Sequence, residues 1–133
     1  MKSTERLIEL LCPARDYRAA IAAVDAGADA LYIGAEGFGA RRAATNSTDD
    51  IARVVAYAHL YGVRVYVTLN TILYESELKR AEALARELIA VGVDALIVQD
   101  MAYREMNLPG ELHASTQVCN MTAEGAKFLE DSG

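Results

Sequence analysis

The side chains best suited to chemistry in this sequence are Arg41, Asn46, Asn70, Gln99, His113, Ser115 and Gln117. His113 and Ser115 are the types that supply a base and a nucleophile, because an imidazole beside a hydroxyl can take its proton. Two residues apart on a strand, however, they run side by side, and no third acid is placed to orient the ring. A serine-hydrolase site is therefore disfavoured. Thr68 with Asn70, and His113 with Ser115 and Gln117, recur at the strand period of two and are expected to project from one face. Together with Gln99 they offer neutral hydrogen-bonding groups, which suit a polar substrate that must be oriented, such as a nucleobase or a small acid. Arg41 is the candidate anion clamp, since a guanidinium grips oxyanions through paired N–H bonds; the alternative is a surface arginine. It follows Gly34-Ala35-Glu36-Gly37-Phe38-Gly39, whose glycines are not in dinucleotide-binding order and on which no helix opens. His113 as a plain strand histidine also stays open. His59, inside a helix among alanines, reads as structural. Cys12 and Cys119 have no metal-ligand spacing, so no metal is expected here.

The elements that must position these groups are announced by a repeat. Three times a helical stretch ends on glycine and passes into an apolar strand, at Gly27, Gly62 and Gly92. The spacing of roughly 30 to 35 residues is that of one βα unit. A glycine just past a helix adopts the left-handed conformation that satisfies the last carbonyls. The pattern predicts strands over Leu7–Leu11 (ended by Cys12-Pro13), Ala30–Gly34, Val63–Leu69, Ala95–Val98 and Glu111–Ser115. Helices are expected after Asp16 as cap, from the Asn46-Ser47-Thr48 cap candidates to about Tyr61, over Ser76–Val91, and from Thr122 to Asp131, with a helical turn over Met101–Met106. A long loop is expected from Ala35 to about Ser47, and long loops in compact domains are often functional. Asp29 and Asp94, at the opposite end of the strands, read as turn residues.

Alternating strands and helices predict an α/β parallel sheet with right-handed crossovers. Between an open doubly wound sheet and a barrel, the barrel is preferred, because the first βα turn, Cys12-Pro13-Ala14-Arg15, lacks the glycines of a phosphate loop. About five strands are too few for a closed eight-stranded barrel of roughly 250 residues. The expectation is a single unit over 1–133, the N-terminal part of a TIM-like barrel, whose open sheet edges allow homo-oligomerisation. The chain has 53% hydrophobic residues and a net charge of −6, which argues for a packed core and against strong non-specific nucleic-acid binding by this segment alone. No apolar run approaches the ~18 residues of a membrane span, and no signal peptide is recognisable. A cytoplasmic setting with reduced thiols is expected.

The ordered blocks Glu9-Leu10-Leu11-Cys12-Pro13-Ala14-Arg15-Asp16, Gly37-Phe38-Gly39-Ala40-Arg41, Val67-Thr68-Leu69-Asn70-Thr71-Ile72-Leu73, Val93-Asp94-Ala95-Leu96-Ile97-Val98-Gln99-Asp100 and His113-Ala114-Ser115-Thr116-Gln117 cover nearly the whole chain. In combination they resemble the collagenase-like peptidase family of unknown catalytic type, family U32. Within it the chain looks most like the branch that forms 5-hydroxycytidine in large-subunit ribosomal RNA. The resemblance implies an incomplete or distorted N-terminal barrel followed by further domains. It also implies an iron–sulfur cluster held by four cysteines in the later part of the protein, none of them in this chain. Its implied role for the segment is substrate positioning in an RNA-hydroxylating enzyme, inactive alone, with ribosomal RNA or its precursor as partner. Arg41, Asn46, Asn70, Gln99, His113 and Gln117 would orient the substrate. The alternatives are a hydrolase, as the family name says, using His113 and Ser115, or a non-catalytic binding scaffold.

Overall fold

A computed structural model of the chain describes residues 8–39 and 46–133. Five strands alternate with five helices: β1 (Leu11–Ala14), α1 (Tyr17–Asp25), β2 (Ala30–Gly34), α2 (Thr48–Leu60), β3 (Arg64–Leu69), α3 (Leu78–Ala90), β4 (Ala95–Val98), α4 (Ala102–Glu105), β5 (Glu111–Ala114) and α5 (Ala123–Ser132). Short 3-10 turns at Glu75–Glu77 and Thr116–Val118 precede α3 and follow β5. The strands pair in parallel in the order β1-β2-β3-β4-β5. A doubly wound sheet would reverse its strand order partway, whereas an unbroken sequential order is that of a barrel wall.

The glycines at the repeat boundaries do what their positions demand. Gly27, Gly62 and Gly92 have φ of 94°, 70° and 96°, the region that costs an L side chain most. Helix starts are equally explicit. Asp16 accepts from the Ala19 N–H at 3.0 Å, and that bond, with the Arg15 guanidinium, holds its carboxyl below the usual aspartate range. Ser47 and Asp50 form a reciprocal capping box on α2, and the Thr122 hydroxyl accepts from the Gly125 N–H on α5.

The core lies between the sheet and the helices. Leu31, Ile33, Val65, Val67, Leu69, Leu96 and Val98 present one face of the strands to Ala20, Ile51, Val54, Ala58, Ala81, Ala85 and Leu88. Alanines at the helix contacts let the backbones approach closely, and such burial is worth about 25 cal/mol per Å² of apolar surface. The opposite face, the inside of a barrel wall, carries the smaller cluster of Ala30, Tyr66 and Ala95 with Tyr32 and Ile97.

The first strand departs from expectation. Cys12 and Pro13 lie inside β1 rather than ending it, with Pro13 opposite Tyr32. Leu10 O accepts from the Ala30 N–H at 3.2 Å. The alternation of a parallel ladder therefore turns the backbone groups of Pro13 to the open edge, where a missing N–H breaks no pairing. At the other border, β5 ends at Ala114, because the Ser115 hydroxyl turns back to cap the 3-10 turn over Thr116–Val118. Gln117 consequently leaves the strand face it was expected to share with His113.

Candidate functional site

Register sorts the inner-face residues into rows. One row runs Pro13, Tyr32, Tyr66, Ala95 and Glu111; the next, nearer the C-terminal ends, runs Gly34, Thr68, Ile97 and His113. Beyond the strand ends come Asn70, Gln99 and Ser115. Asn70 Nδ2 donates to Ser115 Oγ at 3.3 Å, and the same oxygen accepts from the Gln117 N–H at 3.3 Å. Gln99 Nε2 donates to the Gln117 carbonyl at 3.4 Å. It is thus the backbone of Gln117, not its exposed side chain, that joins the group. Asn70, Gln99 and Ser115 are brought together as neutral donors and acceptors at the C-terminal ends of β3, β4 and β5.

His113 lies one row deeper and faces away from that group in its bonding. Its Nε2 contacts Glu111 Oε1 at 2.7 Å, and its ring meets Tyr66 edge-on, with centroids 4.9 Å apart and planes at 69°. No hydrogen bond links His113 to Ser115 among the described residues. The serine is 6% exposed, and its hydroxyl is engaged as a cap. A nucleophile paired with its base is not assembled here.

Asn46 is also 6% exposed. Its Nδ2 donates to Arg15 O and to Gly34 O, both at 2.9 Å, so the amide ties together the ends of β1 and β2. Through Nδ2 the geometry makes it a brace beneath the site. Arg41 falls outside the described residues.

Several residues with evident work were not singled out from sequence. Tyr66 donates to Glu9 Oε2 at 2.9 Å, and Arg64 stands 3.8 Å from the same carboxylate. With His113 and Glu111 this extends a polar chain across the inner face from β5 to the start of β1. Burial above all raises the Tyr66 phenol; the Arg64 contact opposes that rise and Glu9 adds to it. Strand alternation places Tyr66 on the Thr68 face, but its carboxylate partner is distant in sequence and leaves no local signal. The second is Asp100, polar and next to Gln99 at the end of β4 but given no role from sequence: its two oxygens accept from the Leu73 and Ala102 N–H groups, each at 2.9 Å, fixing the loops after β3 and β4. The third is Arg80, whose guanidinium lies 4.9 Å from the Phe38 ring centroid. A side chain at Gly37, where φ is 103°, would begin 2.7 Å from Arg80 Nη2.

A hollow of about 430 Å³ lies elsewhere, between β4, β5 and the helices α4 and α5, lined by Val98, Met101, Leu112, His113 and Leu129 among others. Among the described residues no group of three His, Cys, Asp or Glu side chains is arranged to hold a metal. Cys12, on β1, and Cys119, beyond β5, belong to opposite borders of the sheet, so they do not fit a cluster that takes four thiolates. No described helix is long and apolar enough to cross a membrane.

Comparison with known proteins places this geometry in context. The profile of Peptidase family U32 matches residues 15–133. The 23S rRNA 5-hydroxycytidine C2501 synthase of Escherichia coli K12 is 54% identical over 100% of this chain, which spans 20% of that protein. The collagenase of Porphyromonas gingivalis is 29% identical over 90% of this chain and 30% of its own length. The tRNA hydroxylation protein P1 of Bacillus subtilis is 32% identical over 94% of this chain and 31% of its own. The chain therefore spans between a fifth and a third of these relatives. The solved structure of the U32 peptidase Mk0906 superimposes on all of the chain and 58% of its own, with a TM-score of 0.75 at 15% identity, which establishes the shared fold.

Proposed function

Since the chain belongs to peptidase family U32, we propose that it is the substrate-positioning barrel segment of an RNA-hydroxylating enzyme, with ribosomal RNA or its precursor as substrate. The observation that carries this reading is the hydrogen bonding of Ser115 and His113. The hydroxyl caps a turn and accepts from Asn70, while the imidazole is engaged by Glu111. That leaves the C-terminal ends of the strands with amides rather than with a nucleophile and its base. Asn and Gln amides carry a donor and an acceptor in one plane, which matches the edge of a nucleobase.

In this reading Asn70 and Gln99 orient the base, and the row below, with His113 held between Glu111 and Tyr66, forms the floor. The 54% identity to an enzyme named for forming 5-hydroxycytidine in 23S rRNA supports that substrate class, as does the likeness to a tRNA hydroxylation protein. The oxidation would rest on an iron–sulfur cluster whose ligands lie outside this chain, so the segment alone is inactive. The protein would work in the cytoplasm.

The test is mass spectrometry of ribosomal RNA from cells whose own copy of the gene is deleted and replaced. Wild-type protein restores 5-hydroxycytidine, whereas Asn70→Ala lowers it about tenfold or more, the range for losing an orienting contact. Unaltered cytidine hydroxylation in the deletion strain would sink the RNA reading. Peptide cleavage by the purified full-length protein that disappears on Ser115→Ala would establish the hydrolase instead.

A further inference from the structure

The segment between β3 and the 3-10 turn at Glu75 bends at Thr71 and is held at three points. The Thr71 hydroxyl donates to Phe38 O at 3.1 Å. Asp100 accepts from the Leu73 N–H at 2.9 Å, and Glu77 Oε2 accepts from the Tyr74 N–H at 2.9 Å. Alternation along the segment sends Leu73 against the core and turns Ile72 and Tyr74 outward, 66% and 74% exposed. A loop fixed by its neighbours while displaying two large apolar side chains has not failed to bury them; its bracing keeps them on display. The segment begins at Asn70, whose amide reaches Ser115 at the C-terminal ends of the strands.

From this we infer that Ile72 and Tyr74 form a stacking platform for an unpaired nucleobase of RNA next to the nucleotide oriented by Asn70 and Gln99. The inference rests on the RNA reading above. A tyrosine suits the task because its ring offers a π-face to any base while only two side-chain torsions must be fixed. Holding the backbone beforehand removes the ordering cost that a free loop would incur on binding. The platform carries no charge, so it contributes contact without adding to phosphate neutralisation. That fits a chain with a net charge of −6.

The test uses the full-length protein carrying this chain and a fluorescently labelled short oligoribonucleotide, unpaired or annealed to its complement, followed by anisotropy. Tyr74→Ala is expected to weaken binding of the unpaired strand about tenfold or more, with Tyr74→Phe within about twofold of wild type. The salt dependence of binding should keep its slope, and the annealed duplex should bind all three proteins alike. Equal affinity of Tyr74→Ala and wild type for the unpaired strand would overturn the platform and leave the RNA reading standing. A Phe variant as weak as the Ala variant would overturn stacking in favour of a hydroxyl contact. A lowered melting temperature of Tyr74→Ala with unchanged RNA affinity would mean that another part of the protein covers this surface. If the wild-type protein binds no RNA at all, both inferences fall.

Discussion

The two ends of the strands use hydrogen bonds differently. At the N-terminal ends, carboxylates close on the backbone of neighbouring strands: Asp29 accepts from the Leu10 N–H at 2.7 Å, and Asp94 from the Val65 N–H at 2.7 Å. Asp94 also meets His59 Nε2, in the last turn of α2, at 2.9 Å. At the C-terminal ends, Asn70, Gln99 and Ser115 make neutral contacts of 3.3 to 3.4 Å. Charge-assisted bonds are short and strong, and neutral bonds near the distance limit are weak. The lower end is built to stay closed, while the neutral bonds named at the upper end are the longer and weaker set. Where the upper end does use short bonds, through Asn46 and Asp100, they fasten loops.

The widest separation between the two ends should come from Asp94→Ala set against Gln99→Ala. Removing the carboxylate leaves the Val65 N–H and His59 without their partner and should cost about 2 to 3 kcal/mol in denaturant unfolding. Gln99→Ala should stay within about 1 kcal/mol, the scale of one neutral bond. Equal losses would erase the distinction. A smaller effect is expected at Asp16, whose carboxyl sits lower in the folded chain than in the unfolded one because it accepts from Ala19 and neighbours Arg15. A depressed carboxyl stabilises above its unfolded pKa of about 3.9 and loses that contribution as pH falls through the folded value. The melting-temperature gap between wild type and Asp16→Ala should therefore be full near neutrality and narrow in acid; a constant gap would mean that the carboxylate's charge is irrelevant. The smallest change belongs to Tyr103, fully buried on α4, whose hydroxyl has no hydrogen-bond partner among the described residues. Burial, with Asp100 and Glu77 nearby, raises its phenol. Tyr103→Phe should leave unfolding free energy the same or higher by up to about 1 kcal/mol, and a marked loss would reveal a hidden partner for that oxygen.

Much of the frame is legible in the sequence because it depends on local chemistry. The glycines with positive φ, the caps at Asp16, Ser47 and Thr122, and the apolar runs of β2 to β4 each act within a few residues, so spacing suffices to find them. Errors arise where an edge or a side-chain competitor decides. Pro13 argues for a break until its strand is known to border the sheet. Ser115 continues a strand pattern until its hydroxyl is seen to cap the next turn, and that rotation removes Gln117 from the face of His113. The site is less legible than the fold. Nothing local shows that the Asn46 Nδ2 joins Arg15 to Gly34, and the Tyr66–Glu9 bond joins residues that only the sheet brings together.

The proline on β1 also gives the sheet a direction of growth. The Ser115 N–H bonds to Val98 O, so the alternating pattern turns the backbone groups of Leu112 and Ala114 outward from β5, each with both donor and acceptor. The corresponding border of β1 offers Leu11 with both groups but Pro13 with a carbonyl alone. An incoming strand, from the same molecule or a second copy, finds a complete template at β5 and a defective one at β1. The two borders are thus unequal: a strand added at β5 could make every ladder bond, and one added at β1 would have to leave a hydrogen bond unmade at Pro13.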